Sequence, residues 1–231
     1  MRKATIIAAA IACALGLLVW QLSADPRPAE DKYFMIIFAS QGEPVVPRNA
    51  HTFATFVKCP YPATETDGAK SDAEVLTISW LPASMDVEPV RLAPESGKNF
   101  DLAMTLKWAR SMKARIVAWG PYEIKKELFD HARHQIERLE RGGVGYKALD
   151  LRFRGAGASN CIHAVCDIDT ENGLLATGTA FGEAASFMAL RHLQRWIVDP
   201  QKTYSEIAER LQLAGGDIRF QRLTAARDAE P

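Results

Sequence analysis

The chain has 231 residues, its 28 Lys+Arg balance 28 Asp+Glu to a formal net charge of zero, and 48% of it is hydrophobic. With no charge excess and no basic stripe, the electrostatic footprint by which proteins hold nucleic acid is missing, and no nucleic-acid partner is expected. The length beyond the first two dozen residues suits one domain that buries a sizeable core.

The chain opens Met1-Arg2-Lys3, runs uncharged from Ala4 to Trp20, and reaches Gln21-Leu22-Ser23-Ala24 before Asp25-Pro26. A basic start, an apolar run and a small-residue exit predict a signal peptide or membrane anchor over residues 1–24. Ala24 favours cleavage, whereas Leu22 is larger than the residue preferred two places before a cleavage site. The apolar run spans roughly 25 Å as a helix against a hydrocarbon core of ~30 Å, so length does not choose. Either way the protein is expected in the periplasm or secreted, or held at the inner membrane through residues 4–20. Cys13 reads as filler within the run. Residues 25–32, with two prolines and several charges, read as a tether, and residues 33–231 as the single domain. Beyond the leader the cysteines are Cys59, Cys161 and Cys166, an odd number that leaves at least one thiol outside any intramolecular disulfide.

Tyr33 to Ala39 is a continuous apolar and aromatic run and predicts a buried strand. His51 to Lys58 and Val75 to Leu81 predict two more, an antiparallel pair joined by the polar loop from Pro60 to Ser71. Asn99 or Asp101 is placed to cap a helix to about Met112, and Arg115 to Trp119 predicts a strand that Gly120-Pro121 would end. Tyr122 to Arg141 places Ile124, Leu128, Ala132, Ile136 and Leu139 at helical spacing, with a stop at Gly142-Gly143. Tyr146 to Leu149 predicts a short strand, and Arg152 to Ser159, with Gly155 and Gly157, a loop. Helices then follow at about 161–167, 182–198 and 204–213. Strands early and helices late give an α+β class with a small antiparallel sheet packed on helices.

Ser159-Asn160-Cys161-Ile162-His163 starts a helix after a glycine loop, so Cys161 falls in the first turn with Ser159 or Asn160 as cap. Backbone N–H groups and the positive end of the helix dipole favour thiolate there, which is how a nucleophilic cysteine is made. His163 cannot act as its base, because residues two apart on a helix diverge by about 200°.

The Asn-Cys-x-His helix start, preceded by the Asp130-His131-Ala132-Arg133 to Arg141 helix and Tyr146-Lys147-Ala148-Leu149, resembles the permuted papain-like thiol proteins, including lecithin:retinol acyltransferase relatives and NlpC-type hydrolases. The resemblance spans roughly His51 to Val165. It implies a circularly permuted papain-like fold in which the histidine base precedes the cysteine on an early strand, a place His51 fills. It also implies a third polar residue on the next strand, at Ser79, or at Trp80 if the register slips by one. The catalytic set it implies is therefore Cys161, His51 and Ser79, with no cofactor and no metal. Its activity would be hydrolysis or acyl transfer on an amide or ester, with a cell-wall peptide or a lipid as substrate. Ser79 departs from the His or acidic residue usual there, and the link from Tyr146 to Cys161 is longer than the family's.

Other readings of these residues stay open. His131-x-x-His134 with Cys161-x-His163-x-x-Cys166 carries zinc-ligand chemistry, although no paired Cys-x-x-Cys spacing occurs. A catalytically silent envelope domain that only binds is another. His163 reads as a hydrogen-bonding structural residue, Cys166 as core, His131 and His134 as a solvated face, and His192 as packed on an apolar stripe. If His51 and Cys161 meet, Cys59 and Cys166 stand too far apart along their elements to pair.

Overall fold

A computed structural model describes residues 30–61, 73–149, 157–173, 175–178, 180–214 and 216–223. The leader expected over residues 1–24, and most of the glycine loop from Arg152, lie outside them. From Asp31 onward the described elements belong to one unit. Among the described residues no helix is long and apolar enough to cross a membrane.

Strand β1 (Glu30–Gln41) carries Phe34 to Ala39, every one of them 0% exposed. Burial on both faces is why this segment reads as an unbroken apolar run, and each large side chain in it contributes about 1.5–3 kcal/mol. It is the middle strand of a five-stranded sheet in the order β3-β2-β1-β6-β9, built from β2 (Ala50–Tyr61), β3 (Glu74–Ile78), β6 (Arg115–Ile124) and β9 (Ile218–Gln221). β1 pairs antiparallel with β6 and β2 antiparallel with β3, whereas β9 lies parallel to β6. A second sheet joins β4 (Trp80–Pro82), β5 (Glu95–Asn99), β7 (Gly145–Tyr146) and β8 (Ala158–Ser159) in that order, with β7 and β8 parallel. The helices are α1 (Leu102–Ser111), α2 (Lys126–Glu140), α3 (Cys161–Cys166), α4 (Gly182–Leu193) and α5 (Ser205–Arg210).

Side chains alternate across a strand, and the ring contacts show which helix covers which face. Phe53 of β2 stacks on Phe38 at 4.6 Å, His51 stacks on Phe53 at 5.5 Å, and Trp108 of α1 meets His51 edge-on at 5.5 Å. Thr52 points the other way and its hydroxyl lies 2.8 Å from that of Ser186 on α4. Phe34 meets Tyr204, just before α5, while its neighbour Tyr33 meets Phe129 of α2. Helices thus cover both faces of the sheet, α1 and α5 on one, α2 and α4 on the other, with α3 packed against α4 and β2. The class is α+β, as the sequence implies, but with mixed rather than purely antiparallel sheets.

The mixed character comes from elements the periodicity does not reveal. β9 is a short edge strand in which only Ile218 is buried, so it carries too little apolar pattern to be read, and it places a strand after the last helix. β1 begins at Glu30, inside the stretch read as tether, because its charges find cross-strand partners: Lys32 pairs with Glu123 at 2.9 Å and Asp31 with Lys58 at 3.0 Å.

Gly120-Pro121 does not end β6, and Tyr122 to Ile124 are strand, so the helix starts at Lys126 rather than Tyr122. The register against β1 shifts between Met35 and Ile37, opposite Gly120 and Pro121. At such a bulge the missing N–H of proline removes no ladder bond. Gly120 has φ +104, and a Cβ there would stand 2.6 Å from the Met35 carbonyl oxygen, a position only glycine fits. The Tyr146 strand is two residues long rather than four. The helix from Gly182 tightens into a 3-10 turn at Gln194–Trp196 instead of running on to Val198.

Candidate functional site

His51 enters β2 directly after the 3-10 turn Pro47–Asn49. Val75 to Leu81, read as one strand, is broken at Ser79 into β3 and β4. The cause is Asn99: its Oδ1 accepts from Ser79 N and its Nδ2 donates to Thr77 O, both at 2.8 Å. That pinch takes the Ser79 amide out of the ladder with β2 and leaves its hydroxyl beside His51, with His51 Nε2 2.9 Å from Ser79 Oγ. Trp80, one place along, instead packs over Gly97, where a Cβ would fall 2.0 Å from its ring. The register thus presents Ser79, not Trp80, to the histidine.

Thr105 of α1 completes the polar cluster, its Oγ1 2.8 Å from Ser79 Oγ and 2.7 Å from the Asp101 carbonyl oxygen. His51 is 1% exposed, and burial pushes its pKa down to about 3, because a charged imidazole loses its hydration there. The ring is therefore neutral near pH 7. Its Nδ1 is buried with no hydrogen-bond partner among the described residues.

Cys161 is the first residue of α3 and Asn160 is its cap, with Oδ1 accepting from His163 N at 2.8 Å. Gln135 Nε2 donates to the Ala164 carbonyl at 2.8 Å and fastens α3 to α2. Cys161 is 7% exposed and packs with Ile162, Cys166, Ala185 and Ala189.

His51 and Cys161 line one pocket, together with Thr52, Tyr146, Asn160 and Phe181. Ser79 does not line it; it stands behind His51. Tyr146 reaches the pocket because β7 pairs with β8, next to Asn160. Gly157 and Ala158, read as loop, are a turn and the start of that strand.

Thr105 is missing from the sequence reading, and Asn99 stands there only as an alternative cap for the helix that Asp101 caps. Nothing in their spacing marks them, since they meet Ser79 only across the fold. The zinc reading gains no cluster: among the described residues no three His, Cys, Asp or Glu side chains come together as ligands. His131 and His134 do not share one solvated face. His131 is half-buried edge-on against Trp196 at 5.5 Å, whereas His134 is exposed beside Glu137. His192 is buried, with Asn172 Nδ2 donating to its carbonyl at 2.9 Å, and Cys166 is 1% exposed in the apolar cluster around Cys161.

No disulfide joins the described cysteines. Cys59 sits in a separate cluster with Phe34, Val57, Tyr204 and Ile207, where burial pushes its thiol pKa up. No family model, no curated protein and no solved structure matches this chain.

Proposed function

We propose that the protein is a papain-like cysteine hydrolase or acyltransferase of permuted, NlpC-type order, acting on an amide or ester outside the cytoplasm. Cys161 attacks the acyl carbon, His51 takes its proton and later returns it to the leaving group, and Ser79 holds the imidazole. Backbone N–H groups in the first turn of α3 face the developing oxyanion. The observation that carries this reading is that Cys161, first in a capped helix, and His51, hydrogen-bonded to Ser79, line one pocket although they lie far apart in the chain. A neutral imidazole with an unpartnered nitrogen is in the form needed to accept a proton. Its low pKa keeps the resting imidazole neutral.

The basic start and apolar run of residues 1–24 support an envelope setting, with a cell-wall peptide or a lipid as the acyl donor.

A second reading, a domain that binds without turnover, is favoured by one observation. The His51 ring lies on the sheet face covered by α1, while its neighbour Thr52 turns to α4, against which the Cys161 helix packs. Incubation with a peptide-like electrophile and with aryl esters and amides separates the two. Covalent labelling of Cys161 with ester or amide turnover, both lost in Cys161→Ala and reduced about 100-fold or more in His51→Gln, supports catalysis. Labelling that is indifferent to His51 supports binding alone.

A further inference from the structure

We infer that three apolar segments beside the pocket form a surface that docks on a lipid bilayer, inserting valine and leucine side chains among the lipids. This surface is distinct from the apolar run of residues 4–20, and it does not depend on the chemistry proposed for Cys161 and His51.

Half of the large apolar side chains left exposed among the described residues lie on these segments: Val45 and Val46 on the first, Val90 and Leu92 on the second, Leu149 on the third. Val90 and Leu92 are 87% and 91% exposed. Prolines bracket both pairs, Pro44 with Pro47 and Pro89 with Pro94, and each ring fixes the backbone torsion at its place. Val87, 2% exposed, roots the second segment in the core. Side chains presented on a backbone already held in shape lose little freedom on binding.

Contacts tie the three segments to one another and to the pocket. Arg48 pairs with Asp86 at 3.0 Å, joining the first to the second. Lys147 Nζ donates to the Arg91 carbonyl, and Gly145 packs so closely on Pro94 that a Cβ would fall 3.0 Å from that of the proline. These join the second segment to β7, from which the chain runs on to Leu149. Pro47 and Leu149 in turn line the pocket with Cys161.

The side-chain chemistry favours lipid over protein. The energetic centres of protein interfaces draw on Trp, Tyr and Arg and under-use Leu and Val, whereas the large exposed apolar side chains here are Val and Leu alone. The arginines are engaged within the surface, Arg48 by Asp86, and Arg91 by Glu88 at 3.4 Å and Glu95 at 3.3 Å. With those charges matched, affinity comes from apolar area rather than from attraction to anionic headgroups. A zwitterionic bilayer therefore serves as well as an anionic one.

Tryptophan fluorescence of full-length Leu92→Trp, with the wild-type emission subtracted, tests this on vesicles of phosphatidylcholine alone and mixed with phosphatidylglycerol. The expected result is a blue shift with quenching by brominated acyl chains, alike on both vesicles and insensitive to salt. Val198→Trp is the control. Val198 is 57% exposed and its N–H donates to the Glu123 carbonyl, at the opposite end of the β1–β6 pair from Gln41, so it is expected to stay unquenched. Adding Val90→Asp to Leu92→Trp should raise the lipid concentration for the half-maximal shift about tenfold or more, the factor that burying one such side chain carries.

A Leu92→Trp signal that ignores vesicles, that is quenched no more than Val198→Trp, or that needs anionic lipid and vanishes in salt overturns the inference. So does a wild-type dimer in light scattering that Val90→Asp splits, because a second copy would then cover the loops. The shift is expected to persist in Leu92→Trp carrying Cys161→Ala. Docking by a chain that turns over no ester or amide leaves this surface standing and removes the catalytic reading, and turnover of soluble esters without docking does the reverse.

Discussion

Acid should find this fold through His51. The imidazole is held at a pKa of about 3 by burial, against 6.5 in an exposed chain. Above pH 6.5 it is neutral folded and unfolded, and its burial carries no pH-linked penalty. Between those two values only the unfolded chain takes up the proton, so stability falls as pH falls, by about 1.4 kcal/mol per unit. From pH 6.5 to 4.5 the loss from this one residue is about 3 kcal/mol, a large share of a typical domain stability of about 5–15 kcal/mol. Below the folded value the loss levels off. Urea unfolding of wild type and His51→Gln across pH 7 to 4.5 isolates it, since all other groups titrate alike in both. The variant is expected to be less stable at pH 7, with the gap closing by about 3 kcal/mol at pH 4.5. Two parallel curves would show that His51 takes up its proton in the folded state and would refute the burial argument.

The remaining predictions concern the supports of the site. Asn160→Ala removes the cap on His163 N and should lower stability by about 1 kcal/mol in thermal or chemical unfolding. Gly97→Ala drives a Cβ into the ring of Trp80. It should destabilise by about 1–3 kcal/mol and shift Trp80 fluorescence, whereas an unchanged midpoint would mean that β5 can slide. With a thiol reagent at pH 7.5, peptide mapping should find Cys161 modified before Cys59, because Cys59 is 1% exposed and its pKa is raised by burial. Equal rates would remove the special position given to Cys161.

What the linear sequence determined lies mostly where the physics is local. The strand at Tyr33 to Ala39 follows from a run apolar enough to be buried on both faces, and the helix after Asp101 from its cap and period. The start of α3 at Cys161 follows from Asn160, whose side chain bonds within three residues. The pairing of His51 with Ser79 comes from the resemblance to permuted papain-like proteins, which implies a polar residue on the next strand and leaves Trp80 as the alternative.

The tertiary structure decided what depends on non-local partners. Pro121 sits inside β6 because a bulge in β6 takes it out of the ladder with β1, and Asp31 and Lys32 are strand because Lys58 and Glu123 pair with them. Asn99 breaks the strand at Ser79 and Thr105 closes the polar chain behind His51. Both act through hydrogen bonds between residues twenty or more positions apart, and a contact of that kind leaves no periodicity in the chain to be read.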